Sequence, residues 1–252
     1  MKKRVISEDD ARAMVRLLGE VAAVEGSHSD KKRHLMDGLC ELIQADAWAW
    51  SLGTRLAPHQ MQSFFRFLHG GFDEERFSRL LTLIEHPQIR GIAEAFYREV
   101  GSQESITMLR DEIDLKGLCD SQSLQRFWEE ANVRSMMLSG HPIDDTSVSC
   151  IAVYRQFSDR SFSEREKQIA HIVLTEVPWL HLSGWPEDRG ATVPHLFPRQ
   201  RMVLNLLLDG LSRKAIANRI GISESTVAGY TKEIYRHFSV NSQVGLVRKF
   251  YT

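Results

Sequence analysis

The stretch NRIGISESTV, residues 218–227, decides the fold of the C-terminal part of the chain. Gly221 lies between two segments whose apolar residues recur at helical spacing, and it can adopt the left-handed geometry that ends a helix. Ser223 follows two residues later and has a side chain suited to cap the next helix. The stretch therefore predicts two helices joined by a sharp turn, a helix-turn-helix.

Helix signals continue on both sides of this turn. Pro198 suits the first position of a helix, and Gly210 follows that helix as a terminator. The capping residues together mark four helices: PRQRMVLNLLL from Pro198, RKAIANRI after Ser212, ESTVAGYTKEIYRHF after Ser223, and QVGLVRKFY after Asn241 or Ser242. The sequence therefore predicts a small all-α domain in this part of the chain.

The third of these helices has two contrasting faces. At about 100° per residue, the face predicted to be buried collects Val227, Thr231, Ile234 and Phe238. The opposite face collects Ser225, Gly229, Lys232 and Arg236. A helix face with small residues at its start and cationic residues further along suits entry into the DNA major groove. At Gly229 two interpretations stay open: a tolerated surface glycine, or a missing side chain that permits close approach to bases or phosphates.

Charge is distributed unevenly along the chain. The whole chain has 32 Lys and Arg against 33 Asp and Glu, a net charge of −1. Residues 195–252 contain nine of the basic residues and three of the acidic ones, so this segment carries +6 and the remainder −7. The split indicates a segment that binds a polyanion, attached to an acidic body.

The same C-terminal residues resemble the helix-turn-helix domain of LuxR-type transcriptional regulators. The resemblance covers residues 196–251 and rests on PRQRMVL, DGLSRKAIANRIGISESTV and VNSQVGL, in this order. Two positions that usually carry Glu in the family are Gln200 and Ala215 here, which removes acids that normally support the helix packing. In the family the fourth helix, with Val244, Val247 and Phe250, would support dimerisation, although packing on the first helix explains the same apolar positions.

Candidate DNA contacts follow from this resemblance and from position. Lys232 matches a family position that commonly faces DNA. Position and chemistry add further candidates on the same helix: Arg236 one turn after Lys232, Ser225 and Thr226 at the helix start, and Gly229 between Thr226 and Lys232. Arg213 and Lys214, at the start of the preceding helix, are candidates for contacts with backbone phosphates.

The remainder of the chain is predicted to form a separate α+β domain. Residues 183–195, SGWPEDRGATVPH, have two prolines, two glycines and no apolar periodicity, so the predicted division is domain 1–182, linker 183–195 and domain 196–252. Helices are predicted near residues 7–24, 30–44, 58–69, 73–85, 87–100, 120–131 and 163–181, and strands from Asp46, Glu104, Val133 and Ser147. This order lacks regular βαβ alternation and favours an antiparallel sheet with flanking helices.

Two segments of this domain resemble a GAF-type sensory domain. They are LCELIQADAWAWSL and SCIAVYRQFSDRSFSEREKQIAHIVL, in which a strand, a loop and a final helix close the sheet. Ser163 and Glu166 have the spacing of a capping box at the start of that helix. The acyl-homoserine-lactone domain of some LuxR-type proteins is an alternative, although its usual Trp, Tyr and Asp-Pro pattern is not found. A receiver domain is disfavoured because βα alternation is absent.

The aromatic residues of this domain suggest a ligand site, with an ordinary core as the alternative. The candidate pocket residues are Trp48, Trp50, Phe96 and Tyr97. The histidines include no close pair at metal-ligand spacing, so no metal is predicted. The chain has no G-x-S-x-G, P-loop or G-x-G-x-x-G motif, so neither a catalytic site nor a cofactor is predicted.

Several features argue for a cytoplasmic location. The longest apolar runs, such as MVLNLLL from Met202, are far shorter than the roughly 20 residues that span a bilayer. The N-terminal MKKRVISEDDARAM lacks the apolar segment of a secretory signal. Cys40, Cys119 and Cys150 form no C-x-x-C pair, so they are predicted to be core thiols rather than disulfides or metal ligands.

The sequence thus predicts a DNA-binding transcription regulator, not an enzyme, with a sensory or dimerising N-terminal domain. The expected partners are double-stranded DNA, a second copy of the chain, a small-molecule effector and RNA polymerase. One alternative is a protein-interaction module whose helix-turn-helix contacts polymerase or another regulator. Another is a small-molecule-binding enzyme with an accessory helical tail. The +6 segment favours DNA, and the missing catalytic motifs count against an enzyme.

Overall fold

The computed structural model describes residues 6–57, 60–100, 104–144, 147–156, 160–182 and 196–251. Its strands are β1 (Ala47–Ala57), β2 (Gln60–Gly70), β3 (Ile106–Leu109), β4 (Ser135–Asp144) and β5 (Ser147–Arg155). Its helices before residue 183 are α1 (Glu8–Ala23), α2 (His28–Ile43), α3 (Glu74–Glu85), α4 (Pro87–Glu99), α5 (Arg110–Ile113), α6 (Gln122–Glu130), α7 (Glu164–Thr175) and α8 (Pro178–Leu182). Those after residue 195 are α9 (Pro198–Leu208), α10 (Arg213–Ile220), α11 (Glu224–His237) and α12 (Gln243–Tyr251).

The five strands form one antiparallel sheet in the order β2-β1-β5-β4-β3. Alternate residues of β5 face opposite sides: Ile151 and Val153 pack with α1, α2, α7 and α8, whereas Cys150 and Tyr154 pack with α3, α4 and α6. The sheet is therefore the middle of three layers, with an apolar core on each face. The α+β prediction is confirmed.

Two sequence predictions about the first 182 residues are wrong. The segment predicted as a helix over 58–69 forms β2 in its described part, because its backbone pairs with β1 from Gln60 to Gly70. The helix predicted over 163–181 is divided into α7 and α8. Pro178 begins α8, and a proline inside a continuous helix would remove a hydrogen bond and clash with the preceding turn.

Strand β2 ends at Gly70, and the chain turns at Gly71. Gly71 has φ of +75°, and a Cβ at this position would lie 1.9 Å from the carbonyl oxygen of Asp46. Only glycine fits such a contact. The turn brings α3 back against the sheet, where Arg76 pairs with Asp46 at 2.8 Å.

Buried ion pairs join the layers on the other face of the sheet. Glu166, at the start of α7, accepts hydrogen bonds from Arg155 of β5 at 2.7 Å and from the Ser163 backbone N–H at 2.7 Å. Burial of Glu166 raises its pKa, but hydrogen bonds from Arg160, Arg155 and Ser163 outweigh burial and bring the pKa to about 2. The glutamate half of the predicted capping box is therefore present, and it also anchors the sheet to α7.

Arg155 extends this connection to α2. Its guanidinium is 1% exposed and donates to the carbonyl oxygens of Ile43 and Gln44, where α2 ends. A second pair, between Arg165 and Asp10, joins α7 to α1, and its hydrogen bond is the main cause that lowers the pKa of Asp10 to about 2. These arginines therefore stabilise the packing of helices on the sheet.

The four predicted C-terminal helices are all present as α9 to α12, and contacts connect α9 with α10, α11 and α12. The predicted linker, residues 183–195, lies outside the described residues, and the domain limits stay a prediction. The predicted core thiols are confirmed, since Cys40, Cys119 and Cys150 are buried and form no disulfide within the described residues. Within the described part of the chain, every helix is too short or too polar to span a bilayer.

Candidate nucleic-acid interface

The turn between α10 and α11 has the predicted geometry. Ser212 caps α10 by accepting from the Ala215 backbone N–H at 3.2 Å. Gly221 ends α10 with φ of 67°, and the Ile222 N–H bonds back to the Ala217 carbonyl at 3.2 Å. This is the left-handed helix ending that glycine adopts without strain. Ser223 then caps α11 through the Thr226 N–H at 3.1 Å.

Helix α11 presents its two faces as predicted. Val227, Thr231, Ile234 and Phe238 are buried. Thr231 also satisfies its hydroxyl internally, by donating to the Val227 carbonyl oxygen at 2.8 Å. On the opposite face, Ser225, Gly229, Lys232 and Arg236 are exposed. The buried face fixes α11 on its neighbours and leaves the cationic face in solvent.

The candidate DNA contacts on α10 are also exposed. Arg213 and Lys214 occupy the first two positions of that helix, immediately after its cap. Among the ion pairs between described residues, none involves Arg213, Lys214, Lys232 or Arg236. The two helices therefore offer four cations that are not neutralised by a carboxylate of the described chain.

The hydroxyls at the start of α11 are partly occupied. Ser223 Oγ lies 2.8 Å from Ser225 Oγ and 2.7 Å from Thr226 Oγ1. Ser225 and Thr226 are nevertheless exposed at the helix N-terminus. Each hydroxyl retains acceptor or donor capacity for an external group, because a hydroxyl can take part in more than one hydrogen bond.

Gln200 has a packing role that the sequence did not reveal. Its side-chain carbonyl accepts from the Phe197 N–H at 2.8 Å before α9, and its amide donates to Glu233 of α11. A glutamate at position 200 would instead face the carboxylate of Glu233. LuxR-type domains usually have Glu at this position, and its replacement by Gln was expected to weaken the helix packing. The Gln200 amide instead connects α9 with α11.

Helix α12 is fixed to α9 by another amide. Gln243 Nε2 donates to the carbonyl oxygens of Leu207 at 2.7 Å and Leu211 at 3.1 Å. Val247 is half-buried against the core, while Val244 is 65% exposed. Packing on α9 thus accounts for Val247 and leaves Val244 on the surface; the side chain of Phe250 lies outside the described residues.

The four predicted pocket residues do not line one cavity. Trp48 and Trp50 face α1, α2, α7 and α8, while Phe96 and Tyr97 lie in the core on the other face of the sheet. All four side chains are at most 4% exposed. The structure does not bring the four residues together, because β1 and its neighbours separate the two pairs, and the alternative of an ordinary core accounts for their burial.

A buried polar network, which was not predicted, surrounds Trp50. Its indole N–H donates to Ser149 Oγ at 2.7 Å, and the same oxygen lies 2.9 Å from His181 Nδ1. His181 stacks on His141 with ring centroids 4.0 Å apart. Burial is the main cause that lowers the pKa of His181 to about 4 and that of His141 to about 2. Both rings are therefore neutral at neutral pH. The sequence signal that could have revealed this network is the placement of serine, threonine and histidine at alternate positions of strands.

The network reaches a groove between β3 and α7. His141 Nε2 lies 2.8 Å from Ser139 Oγ, which lies 2.8 Å from Thr107 Oγ1, and Thr107 Oγ1 is 3.1 Å from His171 Nδ1. The groove has a volume of about 520 Å³ and is lined by Ser105, Ile106, Thr107, Glu164, Lys167, Gln168 and His171. Its lining includes hydroxyl, amide, imidazole and carboxylate groups, and the ammonium group of Lys167, which pairs with Glu112 and Glu164.

Among the described residues, no three His, Cys, Asp or Glu side chains come together as a metal site.

Comparison with solved structures gives distant similarities over much of the chain. Escherichia coli SdiA aligns at 13% identity, with 95% of each chain covered and a TM-score of 0.48. SdiA in complex with octanoyl-rac-glycerol aligns at 12% identity, with 97% of this chain and 95% of that chain covered and a TM-score of 0.44. The VqsR LBD domain from Pseudomonas aeruginosa aligns at 14% identity, with 70% and 95% covered and a TM-score of 0.45.

No curated protein sequence matches the chain significantly. The C-terminal residues 194–250 match the family GerE, bacterial regulatory proteins, luxR family. This match includes the capped turn, the buried stripe of α11 and the exposed cations on α10 and α11. The GAF-like description of the N-terminal domain stays a prediction. The family is one of regulators rather than enzymes, and residues 194–250 of this chain form a helix-turn-helix domain of the luxR family of bacterial regulatory proteins.

Proposed function

We propose that the protein is a transcription regulator that binds double-stranded DNA as a homodimer, with α11 in the major groove and α10 against the backbone. The observation that carries this proposal is the exposed cationic face of α11, on the second helix of a luxR-family turn. DNA has about one negative charge per 1.7 Å of helix axis. Cations without carboxylate partners can approach it without first breaking internal ion pairs.

Each candidate contact has a role in this proposal. Lys232 and Arg236 reach base edges or phosphates from the exposed face of α11, and Arg213 and Lys214 hold backbone phosphates from the start of α10. Ser225, Thr226 and the free N–H groups of α11 contact DNA at the helix start. Gly229 lies between these groups. Binding to chromosomal DNA places the proposed activity in the cytoplasm, where RNA polymerase is a further expected partner.

Dimerisation is proposed because one small domain reads few base pairs. A helix-turn-helix dimer contacts two half-sites separated by about one helical turn, roughly 10 base pairs, or a multiple of it. Val244, exposed on α12, offers one apolar contact, and the helices of the N-terminal domain offer larger surfaces. When two copies are joined, binding of one helix-turn-helix domain raises the effective concentration of the other at the second half-site.

The N-terminal domain is proposed to respond to a small hydrogen-bonding molecule. The polar groove beside β3 is the candidate site, because Thr107 and His171 connect its lining to the buried network around His141. A thermal-shift screen of small polar metabolites should find compounds that stabilise the wild-type chain but not Thr107→Val. Equal shifts in both proteins would place any effector elsewhere.

Selection of genomic DNA fragments with the purified full chain tests the proposed function. We expect enrichment of an inverted repeat, footprints on both half-sites, and a dimer by light scattering. The fragment of residues 190–252 should bind the same site far more weakly. Protection of one asymmetric half-site by a monomer would contradict the dimer, and no enrichment of any sequence would favour the alternative that the helix-turn-helix contacts a protein.

A further inference from the structure

Gly229 lies in the middle of α11 and is exposed. Its φ is not in the left-handed region, so the backbone conformation does not require glycine. A Cβ at this position would meet no heavy atom within 4 Å. Glycine lowers helix stability relative to alanine. The fold of the described chain therefore gains nothing from glycine at this position.

Other helical glycines differ in whether close packing requires the absence of a side chain. At Gly38 of α2, a Cβ would lie 2.4 Å from Leu17 Cδ1, so glycine permits α1 and α2 to approach closely. Gly19 and Gly91 resemble Gly229, since both are exposed and have open space at the Cβ position. These two belong to helices outside the luxR-family domain, and they provide matched controls.

The position of Gly229 on α11 is what distinguishes it from those controls. Ser225 lies one turn before it, and Lys232 and Arg236 follow on the same exposed face. A helix with its side chains is about 10–12 Å across, and the major groove is about 12 Å wide. A side chain in the middle of the inserted face would therefore hold the helix further from the floor of the groove.

We infer that Gly229 is the point of closest approach between α11 and DNA, and that its missing side chain sets how deeply the helix enters the groove. This inference rests on the proposed function. Lys232 and Arg236 then make their contacts at a depth that position 229 controls. Gly229 acts as a positioning residue in this account, since it contributes space rather than a charge or a hydrogen bond.

The test compares Gly229→Ala and Gly229→Leu with Gly19→Ala and Gly91→Ala, all in the full chain. Fluorescence anisotropy would use a duplex that the wild-type protein selects. We expect Gly229→Leu to bind at least about tenfold more weakly, within the range for loss of one specific base contact, and Gly229→Ala to show a smaller loss. The two controls should bind as the wild type does. Gly229→Ala should also raise the thermal midpoint of unfolding, which would exclude a folding defect as the cause.

A double-mutant cycle with Arg236→Ala separates depth from simple bulk. If Gly229 sets the depth, Arg236→Ala should lose less affinity in the Gly229→Leu background than in the wild type. Binding of both Gly229 variants within twofold of the wild type, or full additivity with Arg236→Ala, would overturn the inference while the proposed function stands. Failure of the wild-type protein to bind DNA would instead overturn the proposed function.

Discussion

The two parts of the described chain use their basic residues in opposite ways. Before residue 183, arginines hold carboxylates inside the fold, as in the pairs of Arg155 with Glu166 and Arg165 with Asp10. In α10 and α11, cations such as Lys232 and Arg236 are exposed and belong to none of the ion pairs between described residues. The first group stabilises helix packing on the sheet, whereas the second is available to an external polyanion.

This contrast separates two kinds of consequence. Removing a charge from a buried pair leaves its partner uncompensated in a medium of low dielectric constant, and the folded state loses stability. Removing an exposed, unpaired cation changes little within the protein, but under the proposed function it removes a contact with DNA. Substitutions in the two parts should therefore affect different measurements.

The largest effect is expected from Ile234→Asp, which places an unpaired carboxylate among the buried residues of α11. Ile234 is 0% exposed, and the cost of several kcal/mol exceeds what so small a domain can tolerate. We expect loss of DNA binding and of part of the helical circular dichroism signal. All five tryptophans lie before residue 196, so unchanged tryptophan emission would show that the N-terminal domain stays folded.

Retention of full helicity and DNA binding by Ile234→Asp would mean that the faces of α11 are assigned the wrong way round. The exposed-face variant Lys232→Ala is the control, and its helicity should equal that of the wild type. Both proteins can be measured as full chains in the same buffer.

Glu166→Ala should destabilise the N-terminal domain by about 3–5 kcal/mol, because it leaves Arg155 buried without its carboxylate. Urea denaturation followed by tryptophan emission measures this change. Glu8→Ala is the control: Glu8 forms an exposed pair with Arg12, and its loss should cost no more than about 0.5 kcal/mol. Similar midpoints for the two variants would show that the Arg155 pair contributes no more than a surface pair.

Acid should weaken the N-terminal domain through its buried histidines. The pKa of His181 is about 4 in the folded protein and about 6.5 when unfolded. As pH falls from 6.5 to 4, the unfolded state binds the proton first, so His181 lowers the free energy of unfolding by about 1.4 kcal/mol per pH unit. Urea denaturation at several pH values should show a shallower pH dependence in His181→Asn. An unchanged dependence would mean that this ring does not stay neutral in the fold.

The sequence predicted the helix-turn-helix better than the sheet domain. In α10 and α11, Ser212, Gly221 and Ser223 act locally, so their order along the chain was enough to place both helices. The buried face of α11 follows from helical spacing alone. Contacts between distant residues, such as Gln200 with Glu233, leave no local pattern and were missed.

Strand β2 shows why the sheet was harder to predict. Its pairing with β1 shifts register between Ser51 and Leu52 and again between Thr54 and Arg55. Each shift inserts an unpaired residue and reverses the alternation of faces. In the sequence, Met61, Phe64, Phe65 and Leu68 have helical spacing, so the pattern predicted a helix although the backbone is extended. The placement of the four candidate pocket residues on opposite faces could not be predicted for a related reason, because composition does not tell which face of a sheet a residue occupies.

The salt dependence of DNA affinity tests the central claim most directly. Anisotropy titrations of the selected duplex across a range of KCl concentrations would compare the wild type, Arg236→Ala and Arg126→Ala. Both variants lose one positive charge, but Arg126 lies on α6 and pairs with Glu130. If the exposed face of α11 contacts phosphates, Arg236→Ala should reduce the slope of log affinity against log salt by about 1, while Arg126→Ala should keep the wild-type slope. Equal affinities and equal slopes in all three proteins would contradict the account.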